Sequence, residues 1–322
     1  MKVSITMDVV CVGIMVADVL VKSVDKIPES GLLSQVDSIE IFTGGNAMTA
    51  ALNLKKMGVN SGVVGEIGKD SFGDMLYGAM ENSEINTDGV LRNSEVQTST
   101  SIVLSATDGE RTFLHCLGAN ATFSIEKVNK DIFKDAKLVF VTGSFLLDAF
   151  DGKQTADFLK ECKQKDKITV LDCCWDSKDR WGDLLNESLK YVDYFIPSKE
   201  EALAIAKTDS VEEASDVFFD RGVGCVVIKL GKDGCFVRGN KDMRGDMISS
   251  VNVNVVDTTG AGDSFCSGFI AALLKGNNIH DCVRFANTVG SLCVSARGAT
   301  TGILTYDETK EETIKNYGGD II

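Results

Sequence analysis

Apolar and polar positions repeat along this chain with two periods, one suited to strands and one to helices. Residues 7–13 (MDVVCVG) form an unbroken apolar run, the pattern of a strand buried on both faces. Residues 34–42 alternate through Val36, Ile39, Ile41 and Phe42, which predicts a strand. Residues 47–57 then place Ala50, Leu54 and Met57 on one helical face, with Gly58 as the stop. A strand is expected over 62–67 and a helix over 70–82. Two strands follow over 99–106 and 112–117, joined by Thr107-Asp108-Gly109-Glu110 with no helix between them. From Lys137 the alternation resumes. Strands are predicted over 138–142, 168–172, 194–197 and 225–230, and helices over 153–163, 181–189, 199–207 and 211–221. Residues 251–256 (VNVNVV) alternate as a strand should, and helices over 264–275 and 279–296 follow. Repeated strand–helix units with short links predict an α/β fold, a mostly parallel sheet covered by helices on both faces. The helix-free hairpin predicts a flap beside that sheet. No Pro- or Gly-rich linker divides residues 1–322, and only two prolines are present, so one domain without internal repeats is expected.

Composition narrows the partners. The net charge is −14 and no basic cluster is longer than Lys55-Lys56, so nucleic acid is not expected as a primary partner. No run of apolar residues reaches the length a membrane span needs. The apolar stretch 9–21 is broken by Asp18 and lacks a basic leader region, so it reads as a strand and its continuation. Ten scattered cysteines without a C-x-x-C pair point to a reducing, cytoplasmic setting, with most of the thiols packed in the core. The two histidines, His115 and His280, are far apart and match no metal-binding spacing; His115 reads as a half-exposed strand residue.

Chemistry concentrates in residues 257–269 (DTTGAGDSFCSGF). Asp257, Thr258 and Thr259 close the predicted strand, Gly260-Ala261-Gly262 makes a turn poor in side chains, and a helix begins near Asp263. Such a helix start leaves several N–H groups unpaired at the positive end of a helix dipole, a place suited to a phosphate. Asp263 would repel that phosphate unless it has another task. Capping the helix is one, and general-base catalysis on an attacking hydroxyl is the other; the turn alone leaves both open. Asp18 lies five residues past Gly13, at the carboxyl end of the first strand, where open α/β sheets bind ligands. Gly44-Gly45 permits close approach to the backbone, and Asn46 offers a donor and an acceptor to hydroxyl groups.

Residues 43–58 (TGGNAMTAALNLKKMG) and 257–269 together resemble the two signatures of the ribokinase-like, or PfkB, sugar kinases, and landmarks between them keep the family's order. The resemblance implies a ribokinase-like fold whose small β lid is built from residues 19–42 and 99–117. It implies ATP and Mg2+ as cofactors and transfer of the γ-phosphoryl group to a primary hydroxyl of a free sugar. Asp263 would take the proton, while the amides of Gly260, Ala261, Gly262 and Asp263 would hold the transferring group. Asp18, Gly45 and Asn46 would hold sugar hydroxyls. Lys229, Gly231 and Gly234 (KLGKDG) match the family's nucleotide-side turn, though an ordinary strand-ending hairpin fits the same residues. Asn287 falls where a helix nears the adenine. Monovalent-cation activation by K+, through carbonyls near Asp257 and Thr259 and the segment 296–301, and a homodimer through the lid are further family expectations. Three positions depart from the family's pattern. Thr49 stands where a second Asn is usual, Ser198 replaces Asn ahead of the magnesium-associated Glu201, and residues 172–181 (DCCWDSKDRW) carry Asp176 and Arg180 without an assigned role.

Other classes fit less well. Gly68-Lys69-Asp70 and Gly231-Lys232-Asp233 lack the Ser/Thr and the upstream glycine of a phosphate-binding P-loop, and no strand near the start leads into G-x-G-x-x-G. A sugar or nucleotide sensor that retained the fold would gain nothing from a base beside a phosphate. A free sugar is the expected acceptor, with a nucleoside as the alternative because Phe42 and Phe113 offer stacking surfaces. Sugar phosphates are disfavoured by the scarcity of basic residues near the lid, Arg111 being the chief exception.

Overall fold

The computed structural model describes residues 7–107 and 111–319. The loop of the predicted hairpin, at 108–110, and the side chain of Arg111 lie outside the described residues. The first half runs β1 (Val9–Gly13), β2 (Val16–Lys22), β3 (Ile39–Gly44), α1 (Asn46–Lys56), β4 (Ser61–Gly68), α2 (Ser71–Asn82), β5 (Asn86–Asn93), β6 (Thr100–Ser105) and β7 (Arg111–Cys116). It continues with β8 (Leu138–Ser144), α3 (Lys153–Gln164), β9 (Ile168–Cys173), α4 (Trp181–Leu189), β10 (Tyr194–Phe195), α5 (Lys199–Ala206), α6 (Val211–Asp220) and β11 (Cys225–Lys229). The last part holds β12 (Cys235–Arg238), β13 (Asp246–Ile248), α7 (Ala261–Leu274), α8 (Ile279–Val294) and α9 (Tyr306–Tyr317).

Nine strands form one sheet in the order β13-β12-β11-β10-β9-β8-β1-β4-β5, and four form a second in the order β3-β2-β6-β7. In the large sheet only β12 and β13 run antiparallel to their neighbours. Its central strands are apolar on both sides because each face is covered. On one face Val9, Val63, Phe140 and Val227 pack with Leu54, Phe269 and Phe285 of α1, α7 and α8. On the other, Val10, Val139, Leu171 and Val226 pack with Leu159, Leu185, Ile205 and Phe218 of α3 to α6. The predicted mostly parallel sheet with helices on both faces is therefore present, and the helix-free hairpin belongs to the separate four-stranded sheet.

One expected strand is not formed. Residues 251–256 lie outside the described strands and instead run along α8, with the N–H groups of Val256 and Asp257 donating to the Val294 carbonyl and the Ser291 hydroxyl to Val251. Their alternation reflects a ribbon with one side against a helix: Val251 and Val253 are partly covered, Asn252 and Asn254 are exposed, and Val255 and Val256 at its end are exposed as well. The pattern missed β5, β12, β13 and α9, whose sequences are polar or short.

The carboxyl edge of the large sheet has its topological switch between β1 and β8, where successive connections leave in opposite directions. Open α/β sheets place ligands in the crevice at such a point.

Candidate active site

Both glycine turns open helices, and those helices are neighbours. The Asn53 amide of α1 donates to Ser264 Oγ of α7 at 2.9 Å, and the Ser267 hydroxyl of α7 donates to the Ala50 carbonyl. The two helix starts therefore face one crevice, although 217 residues separate Asn46 from Asp263. There Asn46 Nδ2 donates to Asp263 Oδ1 at 2.7 Å, and the Cys174 thiol donates to Asn46 Oδ1 at 3.5 Å.

The Gly44-Gly45 turn is shaped by backbone crowding. Gly45 has φ 87°, and a Cβ there would stand 2.5 Å from the Ile14 carbonyl oxygen, so the close approach it permits is that of residues 14–16. Asn120 holds that segment, accepting from Met15 N and donating to Met15 O. A Cβ on Gly44 would meet Asp18 Oδ2 at 2.0 Å, so Asp18 lies directly over the turn. Burial pushes the Asp18 carboxyl up to about 6, against the opposing hydrogen bond from Ser101. Thr49 is buried within α1, its N–H bonded to the Gly45 carbonyl.

At the second turn, Gly260 takes the N-cap position of α7 in a left-handed conformation, φ 74°, and no side chain caps that helix. The capping reading of Asp263 is thus not what the structure contains; its carboxylate points to Asn46 instead. Burial and the charge of Asp172 push the Asp263 pKa up to about 7, with Asp18 adding to them, while Lys229 and Asn46 work the other way. A half-buried carboxyl titrating there can take or give a proton at neutral pH, beside the first N–H groups of α7, which suit an anion although that of Ala261 also donates to the Thr258 carbonyl at 3.4 Å.

Lys229 ends β11 and reaches the underside of this turn. Its Nζ lies 2.8 Å from Asp172 Oδ1, and a Cβ built on Gly262 would stand 3.5 Å from the same Nζ. The side chains of Lys229 and Asp172 are only 13% and 2% exposed. Burial opposes the Lys229 charge, but Asp172, Cys266 and Glu201 outweigh it and hold the ammonium well above its ordinary value. Removing one partner from such a pair costs about 3–5 kcal/mol, because the other charge is left buried and unpaired. Sequence reasoning missed Asp172 as a site residue. Its one signal was a carboxylate closing the apolar run ITVLD at a carboxyl strand edge.

Glu201 and Ser198 form a reciprocal cap on α5, with Ser198 N donating to Glu201 Oε2 at 2.8 Å, so Ser198 supplies the capping oxygen there. Ligand atoms of Asp172, Cys173 and Glu201 lie within 4.8 Å of one another. The two carboxylates suit Mg2+ and the thiol does not; Lys229 already neutralises Asp172. That leaves Glu201 as the carboxylate best placed for a hydrated magnesium ion carried by phosphates.

The remaining sequence-predicted residues sit further along the same edge. Gly231 and Gly234 bracket a short turn after β11, both with positive φ, and a Cβ on Gly234 would collide with the Ile248 carbonyl at 2.0 Å. Asn287 is buried on α8, and its amide donates to the carbonyls of Ile248 and Ser249 at 3.3 Å each. Asp257 accepts from Thr259 N and Gly298 N, tying the turn to residues 296–301. The carbonyls of Thr259 and Ala299 both receive the Cys293 thiol. Asp176 and Arg180 are absorbed in loop structure: Asp176 accepts from the N–H groups of Lys178 and Trp181, and Arg180 bridges Asp176, Asp148 and the Phe145 carbonyl.

The four-stranded sheet covers this crevice. Its register puts Phe42, Asp18, Ser101 and His115 in one row and Glu40, Leu20, Val103 and Phe113 in the next, all on the face that carries Asp18. Phe42 reaches the Gly298 backbone, and Phe113 is 61% exposed.

The sequence profile described as pfkB family carbohydrate kinase matches residues 6–305. An uncharacterized sugar kinase of Archaeoglobus fulgidus is 27% identical over 252 residues, covering 78% of this chain and 98% of that protein. Among solved structures, Arabidopsis thaliana ribokinase complexed with ribose and ATP superposes with a TM-score of 0.83 at 24% identity, over 96% of this chain and 99% of that one. An Escherichia coli protein described as a putative ribokinase II, in complex with ATP and Mg2+, gives a TM-score of 0.82 at 21% identity, over 97% of this chain and all of the other.

Proposed function

The chain belongs to the pfkB family of carbohydrate kinases, and from that premise we propose that it transfers the γ-phosphoryl group of ATP to a primary hydroxyl of a free sugar. The observation that carries this reading is the 2.7 Å contact between Asn46 and Asp263. It sets a group that can read hydroxyls against a carboxyl with a pKa of about 7, at the mouth of an anion-friendly turn.

In this mechanism Asp18, Asn46 and the turn at Gly45 hold the sugar with its primary hydroxyl toward Asp263. Asp263, deprotonated, accepts the hydroxyl proton as the oxygen attacks phosphorus. The amides of Gly260, Ala261, Gly262 and Asp263 receive the equatorial oxygens, so that catalysis is positioning plus charge stabilisation. The Gly231–Gly234 turn lies on the nucleotide side, and Asn287 contributes by fixing residues 248–249 beside it. Magnesium, bound with ATP, would neutralise the β- and γ-phosphates, with Glu201 as its protein carboxylate. The loop around Asp257, Thr259 and Ala299 is the place for a monovalent cation such as K+. The cytoplasm, where sugar and ATP meet, is the proposed location; among the described residues no helix is long and apolar enough to cross a membrane.

A nucleoside is the second acceptor reading, favoured by Phe42 and Phe113 on the crevice side of the lid sheet, where a base could stack. ADP production measured against a panel of pentoses, hexoses, keto-acid sugars and nucleosides separates the two. Turnover with a free sugar is expected. Saturable binding with no turnover on any acceptor would replace the kinase by a sensor.

A further inference from the structure

We infer that Asp172 is a positioning residue for phosphoryl transfer, acting by holding the Lys229 ammonium beneath the Gly260–Asp263 turn; this rests on the kinase reading above. Three observations converge on it. Asp172 lies one residue before the end of β9 and Lys229 ends β11, two strands separated by β10, and their side chains meet across its carboxyl end at 2.8 Å. The ammonium is directed at Gly262, one of the two positions of the turn without a side chain: a Cβ there would be its neighbour at 3.5 Å. Asp172 is itself fixed, because its second oxygen accepts the Cys266 thiol from within α7, the helix whose N-terminus makes the anion site.

A lysine side chain has four rotatable carbons and a compact charge, so an ammonium aimed by nothing spreads over many rotamers. Anchored on a buried carboxylate, it presents its charge where negative charge is concentrated during transfer, without reorganising at that moment. Glu201 adds to the field at Lys229, but its Oε2 accepts the Ser198 N–H in the cap of α5, and the carboxylate in contact with the ammonium is Asp172. Asp172 thus touches no substrate; its effect passes entirely through Lys229.

Four proteins test this: wild type, Asp172→Asn, Lys229→Met and the double variant, assayed for ADP formation with the acceptor the wild type prefers. Lys229→Met is expected to lower kcat by about 10²–10³-fold, the size found for removing one transition-state donor. Asp172→Asn is expected to lower kcat by about 10-fold or more with the acceptor KM within about 2-fold, because only the aim of the charge is lost. In the double variant, adding Asp172→Asn to Lys229→Met is expected to change kcat no further. Should Asp172→Asn alone fail to fold, the comparison of Lys229→Met with the double variant still decides, since replacing both members of a buried pair by neutral residues is well tolerated. Losses that multiply in the double variant, or an unchanged kcat in Asp172→Asn, overturn the assignment while leaving the kinase reading intact. A wild type silent on every acceptor overturns both.

Discussion

Asp263 carries two opposed demands, and each can be measured. As a base it must be deprotonated, so kcat/KM of the wild type should fall as the pH drops through about 7. Asp263→Asn should lower kcat by about 10²–10⁴-fold with little change in ATP affinity, and a near-normal kcat would remove it from the mechanism. In the fold the sign is reversed. A carboxyl whose folded pKa is raised binds its proton more tightly in the native state, so stability falls as pH rises from the unfolded value through about 7. Asp263→Asn should therefore melt several degrees above wild type at pH 8 and level with it at pH 4, by calorimetry. Asn46→Ala removes a donor to the charged form and should move the acid limb of kcat/KM to higher pH. At this scale Asp263, Asp18 and Asn46 were legible because strand ends and glycine turns place short polar side chains at a crevice. Asp172 was not, because its partner lies 57 residues away and nothing local announces a buried ion pair.

Between residue and molecule, the element that matters most is the turn from Gly260 into α7. Its two glycines have different reasons to be there. A Cβ on Gly260 would stand 2.2 Å from the Ala299 Cβ, in a left-handed backbone that L side chains rarely adopt, so Gly260→Ala should cost stability first. A side chain on Gly262 meets nothing closer than Lys229 Nζ at 3.5 Å, so Gly262→Val should leave Tm nearly unchanged while blocking the approach of phosphate and lowering kcat. Equal thermal losses in both variants would make the turn merely structural. The elements around it were readable where burial was two-sided or where a cap marked a boundary: β1, β8, β9, α1, α4 and α7 all lie near their expected positions. Residues 251–256 misled because alternation reports one covered side and is silent on whether a strand or a helix does the covering. The strand β5 (NTDGVLRN) escaped notice because an edge strand needs few apolar residues.

Across the whole molecule, the lid sheet has two unlike faces. The crevice face holds Asp18 and Phe42; the opposite face carries the row Ile41, Val19, Ile102, Leu114 and, beside it, Ile39, Val21 and Leu104. Ile39, Ile41 and Leu114 are 64%, 49% and 56% exposed, more apolar surface than one sheet face ordinarily leaves to water. We propose that two copies pair through it. Sedimentation should give a dimer for wild type and a monomer for Ile41→Asp, whereas a monomeric wild type would dismiss the pairing. The two-sheet plan was readable because a hairpin interrupted the strand–helix alternation, a signal that is not decisive alone, since the large sheet also carries the antiparallel edge β11-β12-β13 with no α-helix between its strands; the identity of the acceptor was not, since asparagines, aspartates and phenylalanines serve sugars and nucleosides alike. Among the described residues the cysteines too are distributed unevenly. Eight are buried, Cys174 is partly covered in the crevice, and Cys116 alone is exposed, on the outer strand of the lid. A maleimide dye should therefore attach at one fast site without any engineering, and because Cys116 shares the face of Leu114, its labelling should slow when two copies pair through that face.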